Sequence, residues 1–174
     1  YDSTQIFEYL EDRHPEPPLY PRDVAERARC RRLEAAADEI LFRPVWALIE
    51  EAFYPAGGSG RDTLRAEKAK AELARLYQGL DAELRGREYL CGAFSVADIG
   101  TFVLLNAAST LGAPPAGDCA NLKAWLARCA ARPAVRRELE TTQAFLQTLF
   151  APNARDAGAP STANRSSPSP APGS

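Results

Sequence analysis

The feature that most constrains the fold is a helix start at residues 94–99 that leads into an apolar run. Ser95 can accept a hydrogen bond from the amide of Asp98, and the Asp98 carboxylate can accept one from the amide of Ser95, as in a capping box. Apolar residues at both ends of the motif can form a hydrophobic staple. The helix predicted over residues 95–111 is apolar on nearly all sides, which is typical of the centre of a helical bundle. We interpret the motif as a structural element that stabilises the start of the helix, with no catalytic role.

Apolar residues recur at helical spacing along the rest of the chain, and no segment alternates as a strand does. Pro44 lies inside a long helix, where its missing amide predicts a kink. Gly86 is expected to end a helix, and Pro133 to begin the last one. The sequence therefore predicts an all-α fold. Besides 95–111, the predicted helices cover residues 3–12, 23–53, 62–84, 119–131 and 133 onward.

The long helix at 23–53 carries two apolar faces in its second half. The first is expected to pack in its own bundle and comprises Leu33, Ala37, Ile40, Leu41, Leu48 and Ala52. The second comprises Phe42, Trp46, Ile49 and Phe53. Periodicity alone leaves two partners open for this second face: other helices of the same bundle, or a pocket or second subunit.

Composition excludes several classes of site. A net charge of -2 argues against a polyanion partner such as nucleic acid. The only His, His14, is far from the four Cys, none of which is in C-x-x-C spacing, so a zinc site is not expected. The cysteines are expected to be reduced and buried, although two disulfides remain possible. The predicted central helix is too short and too polar to span a membrane.

Four motifs occur in an order that points to one family. Residues 89–99 (YLCGAFSVADI), 121–126 (NLKAWL) and 131–135 (ARPAV) resemble the C-terminal domain of the cytosolic glutathione transferases. Residues 2–10 (DSTQIFEYL) resemble the last helix of the thioredoxin-like domain of that family. The resemblance implies an all-α fold, a glutathione transferase C-terminal-type helical bundle, with a remnant helix of the thioredoxin-like domain.

The same resemblance divides the chain. It implies a remnant of the thioredoxin-like glutathione-binding domain at 1–14, a linker at 15–22 and the helical domain at 23–150. Residues 151–174 are rich in Pro, Ser and Ala and are expected to be disordered. Because the chain contains no Met and begins at Tyr1, we expect a fragment or a processed product.

The family implies that a glutathione thiolate attacks a small hydrophobic electrophile, in detoxification, in a cytoplasmic homodimer that uses glutathione as co-substrate and no metal. The thiol pKa must fall below its free value of about 8.5. In the family the activating group lies early in the thioredoxin-like domain, so we assign no catalytic residue here and expect this chain alone to be inactive. No nucleic acid or membrane partner is expected.

The resemblance also implies site residues. Asp2 and Ser3 would bind glutathione, with Ser3 holding its γ-glutamyl carboxylate, although local sequence alone favours Ser3 as a simple helix cap. Phe42, Trp46 and Ile49 are candidates for the acceptor pocket, and Ser95 and Asp98 for the structural capping box.

Other functions share these motifs. One alternative is a non-catalytic interaction protein with the same fold, similar to the stringent starvation regulators that contact RNA polymerase. Another is glutathione-dependent isomerase or dehalogenase chemistry.

Overall fold

The structure, a computed structural model, describes residues 2–54 and 63–150. These residues form α-helices joined by short connections, with a π-helical segment between α2 and α3. Their extended pairing is limited to isolated bridges between Tyr89 and Gly92 and between Cys91 and Ala93. The predicted all-α fold is confirmed. The bounds are α1 Ser3–Arg13, α2 Val24–Ala36, the π segment Ala37–Leu41, α3 Phe42–Phe53, α4 Thr63–Glu83, α5 Val96–Thr110, α6 Ala120–Ala131 and α7 Pro133–Phe150.

The chain divides into two compact units, Tyr1–Val135 and Arg136–Ser174. Helices α1 to α6 belong to the first unit. The expected disordered tail at 151–174 lies outside the described residues. The domain boundaries drawn from the sequence stay predictions.

Helix α5 lies at the centre of the first unit, because it contacts α2, the π segment, α3 and α6. Its buried apolar side chains include Phe102 and Leu105, each of which stabilises the fold by about 1.5–3 kcal/mol through burial. The helix is apolar on nearly all sides, as the sequence indicated, but Val103 is 59% exposed. The helix therefore has one face that the described residues leave open.

The predicted capping box at Ser95 and Asp98 is present. The fully buried Asp98 carboxylate accepts hydrogen bonds from the Ser95 amide and the Ser95 hydroxyl, both at 2.9 Å. It also accepts from the Leu90 amide at 3.0 Å and from Nε1 of Trp125 at 2.8 Å. One carboxylate thus joins the start of α5 to the preceding turn and to α6.

The long helix is distorted just before Pro44. A proline lacks an amide proton, and its ring clashes with the carbonyl four residues earlier, here that of Ile40. The π segment Ala37–Leu41 occupies that turn, and the Phe42 amide bonds to the carbonyl of Ala37, five residues back. The predicted disturbance near Pro44 therefore takes the form of a wide turn.

A buried glutamate holds the connector between α1 and α2. The Glu11 carboxylate accepts from the amides of Leu19 and Tyr20, at 2.8 and 3.3 Å. Tyr20 is only 2% exposed, and the Arg27 guanidinium lies 5.2 Å from the centre of its ring. The connector is fixed to the helices because its backbone amides bond to a side chain of α1.

Replacing Glu11 by alanine is expected to lower the free energy of unfolding by about 1–3 kcal/mol, because two amides lose their acceptor. Urea unfolding followed by circular dichroism measures the loss. Asp12→Ala, at the exposed neighbouring position, is the matched control and should change the value by no more than about 0.5 kcal/mol. Equal losses in the two variants would refute the role given to Glu11.

Candidate functional site

The first helix begins with a side-chain cap from Asp2. The Asp2 carboxylate accepts from the Gln5 amide at 3.3 Å, and its backbone is extended. Ser3 is therefore the first residue of the helix, and the interpretation of Ser3 as the cap is wrong. This frees the Ser3 side chain for another contact.

Two hydroxyls join the start of α1 to the long helix. Ser3 donates to Oδ2 of Asp38 at 3.3 Å, in the π segment. Thr4 donates to Oε1 of the buried Glu34 at 2.7 Å. The N-terminus of α1 consequently lies beside the end of α2 and the π segment. The two hydrogen bonds join residues that are separated in sequence by 35 and 30 positions, respectively.

The same helix start has amides available to a ligand. The first four amides of an α-helix have no partner within the helix. Here the Gln5 amide bonds to Asp2, whereas the amides of Ser3 and Thr4 have no acceptor among the described residues. Free amides at the positive end of a helix dipole favour a carboxylate. The Asp38 carboxylate, which accepts from the Ser3 hydroxyl, is suited to an ammonium group. The free amides and this carboxylate together could bind the carboxylate and the ammonium of an amino acid.

The second apolar face starts beside this point. Phe42 and Trp46 follow Asp38 by four and eight residues, and their rings stack with centroids 5.7 Å apart at 23°. Each is 41% exposed, whereas Ile49 is half-buried. The described residues therefore leave Phe42 and Trp46 partly exposed, although whether these rings bind an acceptor substrate stays a prediction. We call Phe42, Trp46, Ile49 and Phe53 the aromatic face.

Sequence reasoning missed Asp38 as a neighbour of Ser3. The helical spacing of the aromatic face, extended back by one turn from Phe42, reaches Asp38 and would have placed it at the start of that face. No sequence signal showed that the start of α1 packs there, because the two segments lie 35 residues apart.

In the part of the chain that the structure describes, we find neither a group of side chains suited to a metal ion nor a helix suited to cross a membrane. Within residues 2–54 and 63–150 no group of three His, Cys, Asp or Glu side chains is arranged to hold a metal ion. None of the described helices combines the length and the apolar character needed to cross a membrane. His14 ends α1, its amide bonding to the carbonyl of Leu10 at 2.8 Å.

Comparison with known proteins agrees with this architecture. Residues 45–133 match the sequence model described as "Glutathione S-transferase, C-terminal domain". The chain is 30% identical over 139 residues to FtsZ-localized protein A of Caulobacter vibrioides, a match that covers 78% of this chain and 61% of that protein.

Solved structures give the same result. A glutathione S-transferase from Rhodospirillum rubrum F11 superposes with a TM-score of 0.71 at 30% identity, over 78% of this chain and 62% of the other. A glutathione transferase from Burkholderia graminis, with two glutathione molecules bound per subunit, superposes with a TM-score of 0.68 at 31% identity, over 80% and 59%. The chain thus spans about three-fifths of the length of these relatives. The family match, the helical fold and these superpositions together show that the chain belongs to the glutathione S-transferase family.

Proposed function

We propose that the complete protein is a glutathione transferase that joins glutathione to small hydrophobic electrophiles, and that this chain supplies part of the glutathione site and a wall of the acceptor pocket. The proposal concerns the complete protein, because the chain spans 61% and 62% of two of the relatives it matches. A homodimer and a cytoplasmic location stay predictions.

The observation that carries the proposal is the contact between Ser3 and Asp38 at the N-terminus of α1. The γ-glutamyl end of glutathione bears a carboxylate and an ammonium on the same carbon. The carboxylate would accept from the amides of Ser3 and Thr4, and from the Ser3 hydroxyl, whose single proton turns from Asp38 to the ligand. The ammonium would lie against Asp38 and Asp2. Glutathione bound in related structures supports this assignment.

The aromatic face gives the second half of the site. It begins one helical turn after Asp38, so an electrophile bound on Phe42 and Trp46 would lie next to a glutathione molecule anchored at Ser3. A flat hydrophobic electrophile can stack on these rings, whose planes lie at 23° to each other and which are partly exposed. In the proposed reaction the glutathione sulfur forms a bond to the electrophilic carbon while the leaving group departs with its electron pair. The chain's own residues hold and orient the two reactants.

Replacing Ser3 by alanine is expected to raise the KM for glutathione about tenfold or more in the complete protein. A hydrogen bond to a charged group contributes about 1.5–3 kcal/mol, and 1.4 kcal/mol corresponds to a factor of ten. Initial rates of conjugation with a chloronitrobenzene, measured over a range of glutathione concentrations, give the KM.

Ser109→Ala is the matched control, because the Ser109 hydroxyl bonds within its own helix, to the carbonyl of Leu105 at 2.7 Å. It should leave the KM for glutathione unchanged. An unchanged KM in Ser3→Ala would remove Ser3 from the binding site, and a complete protein without conjugation above background would remove the enzymatic proposal as a whole.

A second candidate is a non-catalytic interaction protein. The similarity to FtsZ-localized protein A favours this candidate over glutathione-dependent isomerase or dehalogenase chemistry. Co-sedimentation of the complete protein with FtsZ filaments, together with absence of conjugation, would support the interaction protein and count against the transferase.

A further inference from the structure

Two hydrogen bonds join the first turn of α1 to the long helix, and they differ in length and in exposure. The Thr4 hydroxyl donates to Oε1 of Glu34 at 2.7 Å, and Glu34 is only 3% exposed. The Ser3 hydroxyl donates to Oδ2 of Asp38 at 3.3 Å, in an exposed position. Because hydroxyl donors normally lie about 2.5–3.0 Å from an acceptor oxygen, the first bond is well formed and the second is long. The two contacts are therefore suited to different roles.

The bond between Thr4 and Glu34 is suited to fix the start of α1. A hydroxyl that donates to a charged carboxylate forms a stronger bond than one that donates to a neutral acceptor. The low dielectric of a buried position strengthens the bond further, and it also makes a lost partner costly. The first turn of α1 is consequently held at Thr4 more firmly than at Ser3.

The bond between Ser3 and Asp38 is suited to exchange. A hydroxyl has one proton, so Ser3 cannot donate to Asp38 and to a bound carboxylate at the same time. When the Ser3 hydroxyl turns to the glutathione carboxylate, its contact with the long helix is lost. The contact between Thr4 and Glu34 then remains to hold the first turn of α1 in place.

We propose that Thr4 and Glu34 are positioning residues of the glutathione site. Their hydrogen bond holds the first turn of α1 while the Ser3 hydroxyl turns from Asp38 to the ligand, so the free amides of Ser3 and Thr4 stay directed at the same point. Neither the Thr4 nor the Glu34 side chain touches the ligand. The proposal rests on the proposed function, because it concerns how glutathione is held.

Replacing Thr4 by valine tests this role, because valine has nearly the shape of threonine and keeps the backbone amide. In the complete protein we expect the KM for glutathione, and its Kd measured by calorimetry, to rise about fivefold. That rise corresponds to a helix start that is correctly placed about one-fifth of the time in the free protein. The kcat at saturating glutathione should stay within about twofold, because bound glutathione restores the placement. A loss of folded protein would instead lower the apparent kcat and leave the KM unchanged.

Two further variants show whether the hydroxyl of Thr4 is the cause. Thr4→Ser restores the hydroxyl and should return the KM and the Kd to within about twofold of the unmodified protein. Thr110→Val is the matched control, because the Thr110 hydroxyl bonds within its own helix, to the carbonyl of Asn106 at 3.0 Å. It should leave both constants unchanged. An unchanged KM and Kd in Thr4→Val, or an equal rise in Thr4→Ser, would overturn the proposal.

A change at Glu34 tests the pairing. Leucine fills a buried position of similar size and accepts no hydrogen bond, so Glu34→Leu should also raise the Kd for glutathione about fivefold. The double variant of Thr4→Val and Glu34→Leu should show the same rise as either change alone, because both remove one hydrogen bond. Rises that multiply to about 25-fold would overturn the pairing. If Glu34→Leu fails to fold, the comparison of Thr4→Val with Thr4→Ser still tests Thr4.

The possible outcomes distinguish the positioning role from the transferase activity. A complete protein that binds glutathione without conjugation would remove the transferase proposal, and the Kd values would still test Thr4. An active protein in which Thr4→Val has the KM and Kd of the unmodified protein would overturn the positioning role alone. A protein that neither conjugates nor binds glutathione would overturn both.

Discussion

Replacing Asp98 by alanine is expected to lower the free energy of unfolding by about 4–5 kcal/mol, a large share of the roughly 5–15 kcal/mol that holds a typical domain folded. The side chain is fully buried and accepts four hydrogen bonds from Ser95, Leu90 and Trp125. Alanine leaves these donors without an acceptor in a region closed to water, and each buried unsatisfied group costs about 1–3 kcal/mol. The cavity left by the carboxylate adds to the loss.

Two milder variants test the cause of that loss. Asp98→Asn keeps one oxygen able to accept from Leu90 and Trp125, but its amide turns a donor toward Ser95, so we expect an intermediate loss of about 2–3 kcal/mol. Ser95→Ala removes only the hydroxyl and should cost about 1 kcal/mol. Urea unfolding followed by circular dichroism gives all three values. A loss below about 1 kcal/mol in Asp98→Ala, or three equal losses, would show that the carboxylate is not the centre of this network.

The sequence predicted the start of α5 well because a capping box is local. Ser95 and Asp98 are three residues apart, and the helix geometry alone brings the carboxylate to the amide. The sequence could not predict that the same carboxylate accepts from Trp125, 27 residues away, because that contact depends on how α6 packs. The resemblance to a family supplied the fold, but the contacts that stabilise it came from the structure.

The π segment explains the main error in the predicted core. Ile40 was grouped with Leu41 on the inner face, yet Ile40 is 50% exposed while Leu41 is buried. A π turn holds more residues than an α turn, so positions inside it, such as Ile40, depart from the regular repeat of about 100° per residue. The departure does not extend to Leu48, which lies beyond the turn and is buried as predicted. Ala52, counted on the same inner face, is also exposed.

Only one part of the candidate site could be predicted from the sequence, namely the grouping of the residues in the aromatic face. The aromatic face repeats at helical spacing, so Phe42, Trp46 and Ile49 could be grouped from sequence. Its position beside Ser3 could not, because it depends on the contact of Ser3 with Asp38, which joins two segments with no periodic relation. The proposed function therefore depends on a tertiary contact that only the structure supplies.

The aromatic face leads to a large expected effect on activity. In the complete protein, Trp46→Ala is expected to lower kcat/KM for a hydrophobic aromatic electrophile about 30-fold, through a higher KM for that substrate. The substrate would lose both the apolar area buried against the indole and the stacking contact, together about 2 kcal/mol. The KM for glutathione should not change, because Trp46 lies two helical turns beyond Asp38.

The loss of activity expected in Trp46→Ala can be distinguished from a loss of folded protein. Trp46 is 41% exposed and stacks on Phe42, so its removal should lower the free energy of unfolding by about 1–3 kcal/mol, and circular dichroism at the assay temperature checks that the variant stays folded. Val24→Ala, which changes an apolar side chain that is 82% exposed at the start of α2, is the control and should leave both KM values unchanged.

The result also decides between an acceptor pocket and a subunit contact, which the sequence left open together as one alternative for this face. A loss of about 30-fold confined to the electrophile, with an unchanged sedimentation coefficient, supports the acceptor pocket. A change within about twofold in kcat/KM, together with a shift in sedimentation toward a smaller species, would instead assign Trp46 to a contact between subunits. The two outcomes are distinct because a ligand pocket depends on substrate identity and a subunit contact depends on protein concentration.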